Sequence, residues 1–582
     1  MTFKSTNISH YTSFIYYLII CFIFPALAEK RDSEPSDSLI IYYYVPNITE
    51  EEYRFYQADF LPFSLAQKGR LSTSGFRGMP QGIFQFEFDG NIFDNPVVGF
   101  WNEQWMPHWR IQGRDYSRIG FIESWYSTLS AGFKPETNIT YLQSNMSFID
   151  IDFSEHITEN NYFRLSGNNF VRSGSEPAGY SNVSINTYQA ELHLKIFRKW
   201  ALHLYYWHLR HKYNMPPSDP FSFNGDEFKI IGRSGWVNFL GSITEKDSVS
   251  IFSEMSINDD DYKQSGNKVR EMRYGWANLK LSYIRKIGRS HLGFRVGGRY
   301  IKNNGKFTWA SRREGDGNAL ITGNILGENL RIEFESGIYW HVETKQKPVF
   351  AISSEYQSKT LGAIGASIFT KPQMTPVLWR TVQHDSIPNY TGKGLTEKQG
   401  GSIYLKRLIS ARIYLKMEPF WVRTKNFPVL QSASTGWQIE QFENYGINFL
   451  AGFKFWVLQL QNDFTYNSNF DDTFSPQFNN ISTLKASLHL LKKKLRVDGA
   501  LIGRHLGKFS QLEFDRLIYQ YRLTNREQGP FFILDFKLQA IIGDFRLLFV
   551  WENLTSEDYS IVKDTLEQYR LFHFGLNWLL FD

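Results

Sequence analysis

The densest group of histidines in the sequence is His203, His208 and His211, in the run LHLYYWHLRH. On a strand, this spacing puts His203 and His211 on one face and His208 on the other, so the three cannot share one ion. A hydrated position in a lumen or loop is the expected setting. Asn258-Asp259-Asp260-Asp261 offers the oxygen ligands that suit Ca²⁺ but lacks EF-hand spacing, and it reads as an ordinary polar loop. One cysteine, Cys21, rules out a disulfide framework and any Cys-rich zinc or iron–sulfur site. No H-E-x-x-H, G-x-S-x-G or P-loop pattern is present. The chain is read as a non-enzyme, with no catalytic residues, no metal site and no cofactor.

The rest of the sequence concerns position rather than reactivity. Its 582 residues carry a formal charge of +6 that is interspersed rather than clustered, which argues against a nucleic-acid partner. Aromatic residues are abundant, with 50 Phe, 32 Tyr and 16 Trp, so a large apolar surface must be covered by something. Lys4, the apolar run Phe14 to Phe24, Pro25 and Ala26-Leu27-Ala28 form the pattern of a secretory signal peptide, residues 1–28, cleaved after Ala28. The run is too short for a helix that spans a bilayer, which needs roughly 20 apolar residues. No later run approaches that length.

The pattern that recurs has a period of two. Phe572, Phe574, Leu576, Trp578 and Leu580 alternate with His573, Gly575 and Asn577. Tyr188, Ala190, Leu192, Leu194 and Ile196 alternate with Gln189, Glu191, His193 and Lys195, and Leu292, Phe294, Val296 and Tyr300 face away from Arg295 and Arg299. Such strands are long enough to cross a membrane, for which about 9–11 residues suffice. Tight and often basic turns near 197–199, 287–289, 409–410, 492–494 and 543–544 alternate with longer polar loops at 215–227, 378–392, 427–442 and 509–527. That asymmetry predicts an all-β fold, a transmembrane antiparallel β-barrel over residues 138–582. Counting hairpins gives about 22 strands, with 20 as the other count. A barrel this wide cannot be filled by its own side chains and holds either water or a plug.

Residues 71–111 bear on that choice. They contain Arg77-Gly78, a strand Phe84 to Phe88 ending in Asp89-Gly90, then Asn95-Pro96, and Met106-Pro107 leading to Ile111. Upstream, FLPFSLAQKG (60–69) is a leucine–proline step before a turn. In this order the motifs resemble the plug domain of TonB-dependent outer-membrane receptors. The resemblance implies that residues 29–137 are a small plug-like domain in the lumen, with Arg77, Gly78, Asp89, Gly90, Asn95 and Pro96 as its structural motif. It also implies transport of a solute through a plugged barrel in the outer membrane of a Gram-negative-type bacterium. The implied partners are outer-membrane lipid, the barrel insertion machinery acting on the C-terminal strand, TonB, and a solute whose identity the sequence leaves open. Ser38 to Val45 stands where an energy-coupling box would be but lacks its pattern, so a passive porin or structural barrel stays open as the alternative.

Overall fold

The computed structural model describes residues 54–580 apart from 66–69, 89–90, 93–94, 101–104, 106–115, 120–121, 126–134, 144–145, 173–181, 216–224, 308–310, 383–389, 391–393, 433–435, 564 and 566–569. The signal-peptide segment and the stretch Ser38 to Val45 lie outside the described residues. A strand with a different medium on each side keeps a strict period of two, and here that pattern repeats until the sheet closes. The barrel has 22 antiparallel strands. Its first strand, Glu136–Gln143, pairs with its last, Leu571–Leu580, from Phe574↔Gln143 to Leu580↔Thr137. The barrel sheet therefore has no open edge, as a lipid environment requires.

The faces are the ones the alternation predicts. Phe572, Phe574 and Trp578 are exposed on the outside, while His573 and Asn577 are buried in the lumen. Tyr188 and Ile196 point outward and Glu191 inward. Inward charges neutralise one another across strands: Arg295 pairs with Glu335 at 3.0 Å, Lys371 with Glu335 at 3.2 Å, and Arg299 with Asp316 at 2.9 Å.

The two rims differ. On one rim every connection is short: 159–160, 198–199, 243–246, 288–289, 327–329, 359–361, 411–412, 456–457, 491–494 and 543–544. The opposite rim carries the long connections 375–394, 507–530 and 553–570, together with short ones at 265–266 and 342–343. Strands such as Asn267–Ile287 exceed the membrane-crossing minimum, and the buried lumen residues of that strand, Arg270, Met272 and Tyr274, lie at its long-loop end.

Three expectations are corrected. The loop expected at 427–442 is mostly strand, because Ile413–Ser432 and Gly436–Phe455 run on past the barrel wall and pair there. The loop expected at 509–527 is a second hairpin, Phe509–Asp515 with Gln520–Gln528, separate from the barrel and packed inward. Asn258 to Asp261 lie within the strand Asp247–Gln264, with Asp260 fully buried and paired to Arg270 at 3.0 Å, so they do not form a hydrated loop.

Inside the barrel, β1 (Phe60–Ser64) and β2 (Ser72–Phe76) form a hairpin. β3 (Gln85–Phe88), β4 (Asn91–Ile92), β5 (Tyr116–Ile119) and β6 (Ile122–Trp125) form a four-stranded sheet in the order β4-β3-β6-β5, with β3 and β6 parallel. Phe60, Phe76 and Phe84 pack with ring centroids 4.9–5.0 Å apart and give this unit its apolar centre.

Candidate functional site: the seam between plug and barrel

The β1–β2 hairpin ends at Arg77-Gly78, where the chain must turn into the barrel wall. Both residues have positive φ, 50° at Arg77 and 84° at Gly78. Gly78 is required for a second reason: a Cβ there would sit 3.0 Å from the side chains of Asn444, Thr473 and Ser475. The turn delivers the Arg77 guanidinium between two carboxylates, Asp59 of the plug at 3.3 Å and Glu418 of the barrel at 2.9 Å, and over the Phe420 ring at 4.4 Å. Burial alone would lower the guanidinium pKa, but the two carboxylates more than offset this and hold it above its ordinary value. The backbone is fastened too. Asn444 Nδ2 donates to the Arg77 carbonyl at 2.8 Å, and the Phe474 N–H donates to the Gly78 carbonyl at 2.9 Å.

Asn95-Pro96 forms the second anchor. Asn95 Oδ1 accepts from the Val97 and Val98 amides at 3.0 and 3.3 Å, a local turn, while its Nδ2 donates to Tyr274 Oη at 3.1 Å. The Pro96 and Val97 carbonyls accept from the first amides of the helix Val377–Thr381, at 3.2 and 2.9 Å, so the plug satisfies donors that the helix end would otherwise leave orphaned. Gly99, at φ 91°, lets this corner reach Pro376; a Cβ there would be 2.2 Å from Pro376 Cγ. Asp89-Gly90 lies outside the described residues, although Phe88 and Asn91 on either side pair with each other. Met106-Pro107 and Ile111 also lie outside them.

A third set of contacts covers the plug from the long-loop rim. Gln81 Nε2 donates to the Tyr519 carbonyl at 2.6 Å, and its Oε1 accepts from the Tyr521 amide at 2.5 Å. Trp379 Nε1 donates to the Ile518 carbonyl at 2.9 Å, which ties the helix to the inner hairpin. Arg270 Nη1 holds the tip of that hairpin through the Arg516 and Leu517 carbonyls at 3.0 and 2.6 Å. Trp379, Ile518, Tyr519 and Tyr521 are all buried, so loops that could have framed an open mouth are folded onto the plug.

The histidines do not sit in water. His211 is fully buried and its Nδ1 accepts from Trp105 Nε1 of the plug at 3.0 Å, while His203 is also buried in the lumen wall. His208 lies on the opposite face, as its spacing predicts. Among the described residues, no group of three or more His, Cys, Asp or Glu is placed to hold a metal ion. Sequence reading missed Glu418, Asn444, Trp379 and Gln81. Only Trp379 left a signal, the apolar run Val377-Leu378-Trp379 that enters the stretch 378–392 read as a polar loop.

No family model matches the sequence, and no curated protein matches it. Solved structures do match in fold. The FrpB iron transporter from Neisseria meningitidis (F3-3 variant) is 10% identical with a TM-score of 0.72, over 93% of this chain and 97% of that one. The siderophore receptor PirA from Acinetobacter baumannii is 9% identical with a TM-score of 0.73, over 92% and 96%. A single-residue mutant of the ferric enterobactin receptor PfeA from Pseudomonas aeruginosa is 12% identical with a TM-score of 0.71, over 95% and 96%. The fold is therefore the plugged 22-strand barrel of the receptor class that the 71–111 motifs resemble.

Proposed function

We propose that this protein is an outer-membrane transporter of the TonB-dependent receptor type. A plug-like domain, residues 29–137, is held in a barrel, residues 138–582, and yields to admit one solute at a time. The motif residues Arg77, Gly78, Asp89, Gly90, Asn95 and Pro96 act as structural anchors of the plug rather than as ligands of the solute. The observation that carries this reading is the buried Arg77 clamp, in which one plug side chain is shared between a plug carboxylate and a barrel carboxylate. A passive porin needs a continuous bore, and a plug fastened to its wall at three places works against one. The short-turn rim then faces the periplasm and the long-loop rim the exterior. The similar structures are named for iron, siderophores and ferric enterobactin, which makes an iron chelate the first solute class to test.

Lipid surrounds the aromatic outer face, the insertion machinery engages the C-terminal strand, and TonB supplies the energy through the segment before residue 54. A cross-linking experiment tests the last of these. Ile40→Cys in the full chain, expressed with a TonB carrying a cysteine in its receptor-contacting segment, is expected to give a disulfide-linked adduct in the outer-membrane fraction. A heat-modifiable outer-membrane barrel that yields no adduct across a scan of Ser38 to Val45 would remove TonB from the account.

A further inference from the structure

The lumen wall near the short-turn rim contains a cavity of about 420 Å³ among the strands that meet at turns 159–160, 198–199 and 243–246. Lys195, Arg198 and Lys199 stand in its wall, and no carboxylate is among its described lining residues. Elsewhere in the lumen Arg295, Arg299, Lys371 and Lys406 each meet a carboxylate on another strand. Here, among the described residues, none of the three cations meets a carboxylate. The Lys195 ammonium donates instead to Asn160 Oδ1 at 3.2 Å.

The remaining wall supplies hydroxyl groups and a fixed imidazole. Ser242, Ser248, Ser250 and Ser282 line the cavity; Ser250 Oγ donates to Asn238 Oδ1 at 2.8 Å and Ser248 Oγ to the Ile284 carbonyl at 3.4 Å, which leaves the Ser242 and Ser282 hydroxyls to donate to a ligand. The His193 ring is stacked on Tyr162 with centroids 4.6 Å apart and planes 1° from parallel, which fixes its orientation. Three positive charges without a described counter-charge in one concavity raise the local concentration of anions, and hydroxyl donors suit an oxyanion better than a halide.

We infer that this cavity binds a phosphate-type oxyanion at the inner mouth of the lumen. The oxyanion has two candidate sources: a soluble phosphate-bearing compound in the lumen, or the headgroup of a phospholipid at the rim. The inference rests on the barrel wall and not on energised uptake, so its failure would leave the reading of the plug standing.

The test uses the full mature chain, refolded in phosphate-free detergent, with inorganic phosphate followed by ³¹P line broadening. A parallel sample in phosphatidylglycerol nanodiscs is examined by native mass spectrometry for retained lipid. Lys195→Gln/Lys199→Gln changes two exposed side chains and is expected to fold with the same heat-modifiable mobility. Lys492→Gln/Lys493→Gln, at another turn, controls for general charge loss. Saturable phosphate binding that weakens about tenfold in the first variant and not in the control supports the soluble source. Lipid retention that is lost only in the first variant, without phosphate binding, supports the headgroup source. Absence of both, or equal losses in the two variants, overturns the inference.

Discussion

Arg77 is buried between a carboxylate of the plug, Asp59, and one of the barrel, Glu418. Replacing it with Met keeps the aliphatic stem but removes the guanidinium that lies over Phe420 and joins Asp59 to Glu418; Glu418 keeps Lys416 at 2.6 Å, so the loss falls on the buried link between plug and barrel. Breaking a buried ion pair by removing one partner typically costs about 3–5 kcal/mol, and Lys416 beside Glu418 puts this case toward the lower figure. Arg77→Met is therefore expected to release the plug at markedly lower denaturant while the barrel melts unchanged, read as a new early transition in Trp fluorescence; a single unshifted transition would contradict it. Asp515 offers a pH-dependent counterpart outside the barrel. Burial pushes its carboxyl pKa up, and the Ile518 and Leu517 amides and Arg522 only partly restrain it. A carboxyl whose pKa is raised on folding binds protons more readily in the folded state. Its contribution to the stability of the hairpin tip therefore falls as pH rises from the ordinary carboxylate range through the raised value. Asp515→Asn keeps an acceptor for those amides. Amide protection at 516–519 should increase at pH 7 in the variant and lose its change between pH 4 and pH 7; equal pH dependence in both proteins would assign the effect elsewhere.

At the scale of elements, the barrel was legible because lipid and lumen enforce alternation over every crossing, and a one-residue slip would turn a whole face the wrong way. Leu571–Leu580 illustrates this: Phe574 and Trp578 face outward and Asn577 inward, where its Nδ2 reaches Asn138 Oδ1 at 2.5 Å and Thr140 Oγ1 at 2.8 Å. Leu576→Arg places a charge on the lipid face and should destabilise the barrel by about 2–4 kcal/mol, whereas Asn577→Ser, which loses lumen hydrogen bonds, should cost only about 1 kcal/mol. Urea-gradient refolding into vesicles distinguishes the two, and equal costs would mean that the outer face is not in lipid. The inner hairpin was not legible. Ser510, Gln511, Glu513 and Asp515 interrupt its apolar residues in the manner of a solvated loop, and its partners Gln81, Trp379 and Leu430 are remote in sequence. The seam was half legible for the same reason. Glycine and proline mark where Arg77-Gly78 and Asn95-Pro96 turn, but nothing local says that Glu418 or Tyr274 waits opposite.

At the scale of the whole molecule, the parts describe a closed state. The plug is fastened to the wall by Arg77, docked on the helix Val377–Thr381 through Pro96 and Val97, and covered by the hairpin that Gln81 grips. Passage of a solute would have to loosen the plug from below and lift these loops from above. The most direct measurement of this account is single-channel conductance in planar bilayers, comparing the mature chain with a chain lacking residues 29–137. The intact protein is predicted to stay closed and the deletion to open a large, steady channel, since 22 strands leave a bore too wide for their own side chains to fill and the plug is what closes it. High conductance from the intact protein, unchanged by the deletion, would contradict the plugged transporter and leave a porin.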